Sequence, residues 1–295
     1  MELATPITIY WDLPADSPDD GLLQRICSDI SDCRPLMLQM YHDAGSLQPG
    51  DALSLVLEQF RGSRIAVTLT VPAVAFESAP QCCPEGMQLK ELLVSGNRLE
   101  GLAEAIHNAN SYSGIMPGVS FSVTRENWRQ LPELVQLCRN EGIGRLVLPM
   151  QRLYNIETPF MITAAEQHQL AAALSDAGGV GDLNLTIHDP FLWRAFNPGI
   201  PFPQAGCQAA NTMIAIAPDG GVYPCPTLPV RLGNIGQRSL KEIICSAEKK
   251  EFRRRLLTAP AGCRDCSEVS VCRGGCRGRG LVLEGSLDGI DPVCR

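Results

Sequence analysis

Seven cysteines in the last third of the sequence stand at spacings that could bind metal. They occur as Cys207 and Cys225, then as the run Cys263-x2-Cys266-x5-Cys272-x3-Cys276, and finally as Cys294. The N-terminus has no basic start followed by an apolar stretch, so the sequence predicts no secretion signal and a cytoplasmic location. Because the cytosol keeps thiols reduced, clustered cysteines there are typically metal ligands and not disulfide partners. The pattern therefore predicts a metal-binding C-terminal segment.

Two local features would hold these cysteines in place. An Asp-Gly turn at 219–220 separates the apolar runs IAIAP and VYPCP, which predicts a β-hairpin that brings Cys207 and Cys225 towards one site. The later cysteines lie in a Gly- and Arg-rich stretch. There, Gly274 and Gly275 allow the backbone to wrap a cluster and to point N–H groups at its sulfurs.

The remaining six cysteines lie outside this pattern. Cys27 falls on the apolar face of a helix that Ser17 and Pro18 would begin, and Cys138 falls on the apolar face of a helix over 127–141. Cys245 fits the apolar side of a further helix. The cysteines that lack partners at ligand spacing are interpreted as free thiols: Cys33, Cys82 and Cys83.

The first 200 residues alternate strand-like apolar runs with helical patterns, which is typical of a parallel α/β sheet or barrel. The stretch 163–177 is predicted as a further helix. Three prolines and two glycines in NPGIPFPQAG, residues 197–206, indicate a boundary, so we expect an α/β domain at 1–205 and a Cys-rich domain at 206–295. The predicted strands are 7–13, 36–41, 65–71, 119–123, 145–150 and 183–187.

Charge divides unevenly between these two parts. Residues 1–205 carry 12 Lys and Arg against 23 Asp and Glu, a net −11, whereas residues 206–295 carry 13 against 9, a net +4. No aromatic residues interleave with the C-terminal arginines, and the whole chain is acidic, so nucleic-acid binding is not favoured. The arginines are better explained as compensation for negatively charged metal–thiolate centres. No apolar stretch is long enough to predict a membrane span.

The cysteine pattern resembles the SPASM domain, an extension of radical S-adenosylmethionine (SAM) enzymes, many of which modify peptides. The resemblance covers nearly all of 207–295, including PDGGVYPCP, LGNIGQRSLKEI at 232–243, the CxxC-x5-C-x3-C core and the closing DPVC. It implies two [4Fe–4S] clusters with interleaved ligands. The first cluster would be held by Cys207, Cys225 and Cys276, and the second by Cys263, Cys266, Cys272 and Cys294.

The first cluster then lacks a fourth cysteine. Some relatives place one six residues before Cys207, where this sequence has Pro201. Its iron could be open, or closed by Cys245 or by the pair His188 and Asp189. Four-cysteine zinc sites are the structural alternative for such spacings, although zinc fits seven interleaved cysteines less well than iron–sulfur clusters do.

The N-terminal region resembles the partial (β/α) barrel of radical SAM enzymes, particularly over residues 120–150, but it lacks the SAM site. The family's CxxxCxxC motif should follow the first strand, and only Cys27 and Cys33 are near it. A glycine-rich GGEP-like segment should follow the second strand, where YHDAG stands instead. This combination resembles the SPASM-domain protein of the GeoRSP system, which implies a partner radical SAM/SPASM enzyme and a small peptide-binding protein.

These patterns favour an auxiliary iron–sulfur protein that neither binds nor cleaves SAM and helps a radical SAM/SPASM enzyme to modify a peptide, by relaying electrons or holding the substrate. One alternative is an enzyme in which the open iron acts as a Lewis acid. Another is a zinc-stabilised adaptor. In a barrel, polar residues at the carboxyl ends of strands line the pocket, which makes Asp12, His42 and Thr124 candidates.

Overall fold

The computed structural model describes residues 3–14, 20–48, 50–109, 117–152, 159–202 and 206–294. Its strands are β1 (Thr8–Leu13), β2 (Met37–His42), β3 (Ala66–Pro72), β4 (Glu91–Gly96), β5 (Gly118–Phe121), β6 (Arg145–Leu148), β7 (Asn184–Ile187), β8 (Met213–Ile216), β9 (Gly221–Tyr223) and β10 (Gly233–Asn234). Its α-helices are α1 (Asp20–Cys33), α2 (Ala52–Phe60), α3 (Leu99–Ala109), α4 (Leu131–Asn140), α5 (Ala164–Asp176), α6 (Pro190–Phe196), α7 (Leu240–Ile244), α8 (Ala247–Leu257), α9 (Val269–Cys272) and α10 (Arg277–Glu284). Short 3₁₀ helices lie at Ala73–Cys82, Trp128–Gln130, Ala261–Cys263 and Pro292–Cys294.

One sheet carries the whole fold, in the order β10-β9-β8-β1-β2-β3-β4-β5-β6-β7. Strands β1 to β7 are parallel and lie in chain order, with a helix between most neighbours. Each of these strands is added on the same side of the one before it, and connections between parallel strands are right-handed, so the helices lie on one face of the sheet. The sheet curves into a partial barrel around its other face. The predicted α/β class and the radical-SAM-like architecture are confirmed.

All six strands predicted in the first 200 residues are present within two residues of their predicted ends. Strand β4 was not predicted, because its run ELLVSG has no turn signal directly before it and follows a Pro- and Cys-rich stretch that folds mainly as a 3₁₀ helix. The helix α1 buries its predicted apolar face, whereas the proposed cap at Ser17 and Pro18 lies outside the described residues. Helix α5 begins with a capping box in which Thr163 and Glu166 bond each other's backbone N–H.

The two cysteines predicted to lie in the core do so. Cys27 and Cys138 are buried, as their helical positions predict, whereas the free thiols at Cys33, Cys82 and Cys83 stay a prediction. The expectation for Cys245 is wrong, because this residue is exposed. Helix α7 ends at Ile244, so Cys245 is its C-cap and no longer follows the apolar face of the helix.

The predicted hairpin forms, and it continues the barrel's own sheet. Strands β8 and β9 pair antiparallel, while β8 pairs parallel with β1. The N–H groups of Ile7 and Thr8 both donate to the Thr212 carbonyl, at 2.8 and 2.9 Å. Helix α1 adds a second junction, in which the Asp29 carboxylate accepts from the Leu240 N–H at 2.7 Å. The domain boundary near residue 205 stays a prediction. The sheet is continuous across that position, because β8 pairs with β1.

Within the described ranges, no helix has the length and apolar character needed to cross a membrane.

Candidate iron–sulfur site and cavity

A cavity of about 720 Å³ occupies the inside of the partial barrel. Its wall comes from alternate residues of the strands, such as Gln39 and Tyr41 of β2, and from the C-terminal segment, which contributes Thr227, Cys276 and Arg279. Packed barrels fill this space with branched apolar side chains, whereas here many lining groups are hydroxyls and amides. The cavity can therefore offer hydrogen bonds to a polar ligand beside a cysteine thiol.

Of the three pocket residues expected from the sequence, Thr124 lines the cavity. The expectations for Asp12 and His42 are wrong. His42 alternates with Tyr41, so its side chain lies on the other face of β2, where burial lowers its pKa and Asp51 and Asp43 oppose that shift.

The carboxylate of Asp12 forms an ion pair with an arginine that reaches across the mouth of the barrel. Arg152, which follows β6, donates through Nε to both Asp12 carboxylate oxygens at 2.9 Å and through Nη2 to Oδ1 at 2.6 Å. Its guanidinium also lies 4.9 Å from the centre of the Tyr41 ring. Arg152 therefore presents its charge to the cavity wall in place of Asp12, and no local pattern in the sequence indicated this pair.

The first group of cysteines comes together between the hairpin and helix α10. Burial raises the pKa of Cys225 well above its usual range, and the thiols of Cys207 and Cys276 add to the rise, which reports their proximity. Cys225 is buried, and Cys276 opens onto the barrel cavity. Backbone N–H groups of Thr227 and Leu228 donate to the Cys225 sulfur. Such donors are typical around cluster sulfurs, whose negative charge they stabilise.

The second group lies nearer the surface. Burial raises the pKa of Cys294 to about 12, with further contributions from Asp291 and from the thiols of Cys272, Cys263 and Cys266. Cys263 is buried, whereas Cys266 and Cys294 are exposed. The two ligand sets that the family resemblance implies stay a prediction, with which these mutual influences on pKa agree.

The backbone at Gly274 and Gly275 turns around the Cys272 sulfur and points its N–H groups at it, as the sequence predicts. Their φ angles are +100° and +66°, a region that L side chains rarely adopt. Burial raises the pKa of Cys272, and the N–H groups of Gly274 and Gly275 oppose the rise by donating to its sulfur. The Arg279 N–H likewise points to the Cys276 sulfur at 3.5 Å, because Cys276 caps helix α10.

Buried arginines surround the first group. Arg253 donates to the carbonyls of Cys207 and Ala209 at 2.6 and 3.1 Å, and Arg277 donates to the Thr258 carbonyl at 2.9 Å. Burial raises the pKa of Cys207, and the charges of Arg253 and Arg277 are among the influences that oppose this rise. This arrangement supports the interpretation of the arginines as charge compensation for thiolates.

A fully buried carboxylate, Asp291, joins the two groups to the barrel. It accepts from the Cys276 N–H at 2.7 Å and from Nε and Nη2 of Arg279, both at 2.8 Å. Arg279 in turn donates through Nη1 to the Phe160 carbonyl and to Asp189, both of which belong to the barrel. The sequence assigned no role to Asp291 or Arg279, although Arg279 lies in the Arg-rich stretch and Asp291 begins the closing DPVC.

The candidates for a fourth ligand of the first cluster differ in their surroundings. Cys245 is exposed, and its thiol interacts with Cys33 of helix α1. Asp189 lies near Cys276, but its oxygens already accept from Phe191 N–H, Leu192 N–H and Arg279. Burial lowers the pKa of His188 to about 4, so this cavity residue is neutral.

The donor chemistry of the two cysteine groups suits iron–sulfur clusters. In the part of the chain that the structure describes, no three Cys, His, Asp or Glu side chains are placed to hold one metal ion. The thiols have backbone N–H groups and arginines around them, which are the surroundings that stabilise the negative charge of cluster sulfurs.

Helix α10 approaches the hairpin so closely that only glycine fits at position 278. A Cβ there would lie 2.1 Å from the Thr227 carbonyl oxygen. We expect Gly278→Ala to push the helix off the hairpin and to cost about 1–3 kcal/mol of stability. It should also separate Cys276 from Cys225 and lower the iron content, measured on anaerobically prepared protein.

The matched control is Gly101→Ala in helix α3, where a Cβ would meet nothing within 4 Å. It should be neutral or stabilise by about 0.5–1 kcal/mol, because alanine is the better helix former. Equal iron content and stability in the two variants would contradict the close packing of α10.

Comparison with known proteins identifies the C-terminal part. Residues 207–267 match the SPASM family, described as an iron-sulfur cluster-binding domain. The C-terminal segment is a SPASM domain. The SPASM domain implies that the chain binds iron–sulfur clusters, and the match includes the hairpin and the first two cysteines of the Cys263 run.

About three fifths of the chain is similar in sequence to curated enzymes. It is 27% identical over 192 residues to the PqqA peptide cyclase of Gluconobacter oxydans, which covers 62% of this chain and 52% of that protein. It is 26% identical over 204 residues to the AdoMet-dependent heme synthase of Oleidesulfovibrio alaskensis, covering 62% and 51%. The chain therefore spans about half the length of these curated relatives.

The fold resembles that of a solved protein, Streptococcus suis SuiB. The two structures align with a TM-score of 0.71 at 17% sequence identity, covering all of this chain and 78% of SuiB. SuiB has also been solved with S-adenosylmethionine and with its precursor peptide SuiA. At this identity the likeness shows a shared fold.

Proposed function

We propose that this chain is an auxiliary iron–sulfur protein that holds two [4Fe–4S] clusters and assists a radical SAM/SPASM enzyme in modifying a peptide. Cys207, Cys225 and Cys276 would hold the first cluster, and the other four cysteines of the SPASM domain would hold the second. The observation that carries the proposal is the position of Cys276, which belongs to the first group and also lines the barrel cavity. Bound there, the first cluster would supply one-electron redox chemistry next to a ligand in the cavity.

The region after β1 supports a role without SAM cleavage. Cys27 and Cys33 lie within helix α1 and are buried, and burial raises their pKa values to about 12 and about 11. Two buried thiols cannot supply the three thiolates of a SAM-binding cluster. The mouth of the barrel is also crossed by the ion pair between Arg152 and Asp12.

A peptide is the favoured ligand of the cavity. A relative is named as a peptide cyclase, and SuiB has been solved with a precursor peptide. The hydroxyl and amide groups of the cavity, among them Ser95, Ser120 and Gln39, suit a peptide backbone and neutral side chains. The partner proteins would be a radical SAM/SPASM enzyme and a small peptide-binding protein, as in the GeoRSP system that the sequence resembles.

One other function has support from the structure. With three cysteine ligands, the first cluster would have one iron without a cysteine, and it would lie beside the cavity that Cys276 lines. The open iron could then act as a Lewis acid on a bound substrate. A zinc-stabilised adaptor is the remaining alternative.

Metal analysis distinguishes clusters from zinc. Protein purified without oxygen should contain about eight irons and about eight labile sulfides per chain, as two four-iron clusters require. It should be brown, because thiolate-to-iron charge transfer absorbs visible light. Colourless protein with one or two zinc ions and no sulfide would refute the cluster proposal and favour the adaptor.

An assay for SAM cleavage tests the auxiliary role. Reduced, iron-loaded protein should form no 5′-deoxyadenosine from SAM, because the region after β1 offers neither three thiolates nor a glycine-rich contact. The assay includes a variant with Cys27→Ala and Cys33→Ala. Product formation by the unmodified chain would overturn the proposal, and its loss in the double variant would identify these two cysteines as cluster ligands.

A further inference from the structure

The last parallel strand of the barrel, β7, has one unpaired side. It stands at the end of the sheet and pairs with β6. The N–H groups of Asn184 and His188 donate to carbonyls on the β6 side, at 2.8 and 3.3 Å. Because backbone groups alternate in direction along a strand, Leu185 and Ile187 point their N–H and C=O groups away from β6. Among the residues that the structure describes, none bonds to these groups, which are called the β7 edge.

The sequence of β7 leaves this edge able to pair. Exposed strand edges are commonly protected by charged side chains, by proline or by a bulge. Strand β7 reads Asn-Leu-Thr-Ile, with neither charge nor proline, and it is exposed or half-buried along its four residues. Strand β10, at the opposite end of the sheet, has only two residues. The β7 edge is therefore the longer of the two open ends of this sheet.

An arginine inside the barrel holds β7 in place. Arg145 donates through Nη1 to the Thr186 hydroxyl at 2.8 Å and through Nε to Glu91 at 3.0 Å. Parallel pairing with β6 along the whole strand fixes its register. The edge is thus ordered before anything binds to it, which lowers the entropy cost of adding a further strand.

The same strand forms part of the cavity wall. Asn184, Thr186 and His188 line the cavity, as does Cys276 of the first cysteine group. Side chains that lie side by side on neighbouring strands point to the same face of a sheet, and successive side chains alternate between the faces. A segment added at the β7 edge would therefore direct every second side chain towards the cavity.

An extended peptide is the ligand that fits the β7 edge. Leu185 and Ile187 are two positions apart, so their N–H groups repeat at about 6.6 Å, twice the rise per residue of a parallel strand. Extended polypeptide repeats its own donors and acceptors at this interval. A helical ligand has its backbone groups bonded internally, and a compact small molecule would reach one of the two positions.

Resting on the proposed function, we propose that the peptide substrate binds as an added strand on β7. Its backbone would bond to Leu185 and Ile187, and every second side chain would enter the cavity. Main-chain bonds would then supply much of the affinity, and only alternate residues of the substrate would be selected. The proposal gives the substrate a conformation and a binding surface.

A peptide selected on the iron-loaded protein tests the added strand. Random 12-residue peptides displayed on phage supply the probe, and the best binder is synthesised in two forms, N-methylated at its odd or at its even positions. N-methylation removes the N–H donor, so one form should bind at least about tenfold more weakly and the other nearly as the parent does. Binding of the parent peptide should also slow hydrogen exchange over residues 184–188, measured by mass spectrometry.

A change in the protein tests the same bonds from the other side. Leu185→Pro removes an outward N–H and leaves the N–H groups that face β6, a position that proline can occupy on an edge strand. It should bind the selected peptide at least about fivefold more weakly than Leu185→Ala, the control that shortens the same side chain and keeps the N–H. If Leu185→Pro lowers the iron content, the two N-methylated peptides decide.

Three results would overturn the added strand. These are no enriched peptide, equal weakening by the two N-methylation patterns, or unchanged exchange over residues 184–188. Protection of this segment in a dimer without peptide would also overturn it, because a second copy would then cover the edge. Each of these results leaves the proposed iron–sulfur function intact, whereas absence of iron from the unmodified chain would refute that function.

Discussion

Replacing Asp291 by alanine should destabilise the C-terminal unit by up to about 3–5 kcal/mol, the typical cost of removing one partner of a buried ion pair, although Arg279 keeps its second partner Asp189. Asp291 is fully buried, and both its oxygens accept from Arg279, which is itself buried. The variant also leaves the Cys276 N–H without its acceptor. Both cysteine groups should therefore loosen, with loss of iron and a lower midpoint of urea unfolding.

The neighbouring Asp288→Ala is the control for this experiment. Asp288 is exposed, and its contacts with Arg255 and Arg277 are both 3.5 Å long. The pair with Arg255 is exposed and contributes about 0–1 kcal/mol, and buried Arg277 keeps its bonds to the Leu287 and Thr258 carbonyls, so this variant should keep its iron and most of its stability. If Asp291→Ala unfolds at the same urea concentration as Asp288→Ala, Asp291 does not hold the SPASM domain to the barrel.

Replacing Cys272 by alanine should unfold much of 260–295, whereas Cys225→Ala should remove one cluster and leave the rest of the fold. Helix α9, which carries Cys272, has no buried residue, so its loop depends on metal binding for its order. Cys225 instead follows strand β9, whose backbone is paired with its neighbours. Binding of the second cluster would also tie Cys294 back onto the loop.

Limited proteolysis and iron analysis measure the difference between these variants. Cys272→Ala should be cleaved rapidly in the loop between Cys263 and Cys276, and Cys225→Ala should keep about four irons and resist cleavage there. Cys83→Ala, at a free thiol outside both groups, should match the unmodified chain. Equal protection of the loop in all three variants would show that its fold does not depend on metal.

The parts of this structure that sequence could predict are those with a local cause. Strands β1 and β2 are apolar runs between turn signals, and the turn at Gly220 needs the positive φ of +76° that it has. The spacing of the seven cysteines indicates metal binding, whereas their division into two groups is what the resemblance to the SPASM domain implies. Local rules failed for Cys245, since the end of a short helix moves by a residue or two and changes which side chain faces the core.

The parts that sequence could not predict depend on residues far apart in the chain. The ion pair between Arg152 and Asp12 spans 140 positions, and Arg279 reaches Asp189 across 90. Charged side chains carry no period that would indicate such partners. The positions of these charged side chains depend on the curvature of the sheet and on where β8 pairs with it. Neither can be predicted from the local sequence pattern.

The parallel pairing of β8 with β1 limits how the two parts of the chain can be separated. A chain cut at residue 205 would lose β8, and β1 would become an edge strand with a row of unsatisfied backbone groups along one side. Ile9 and Trp11, now fully buried, lie on that strand. Exposed apolar edge strands recruit strands of other chains, so the isolated barrel would tend to aggregate. The cysteine-rich segment, which is expected to hold the clusters, thus also pairs with β1 and keeps it from being an edge strand.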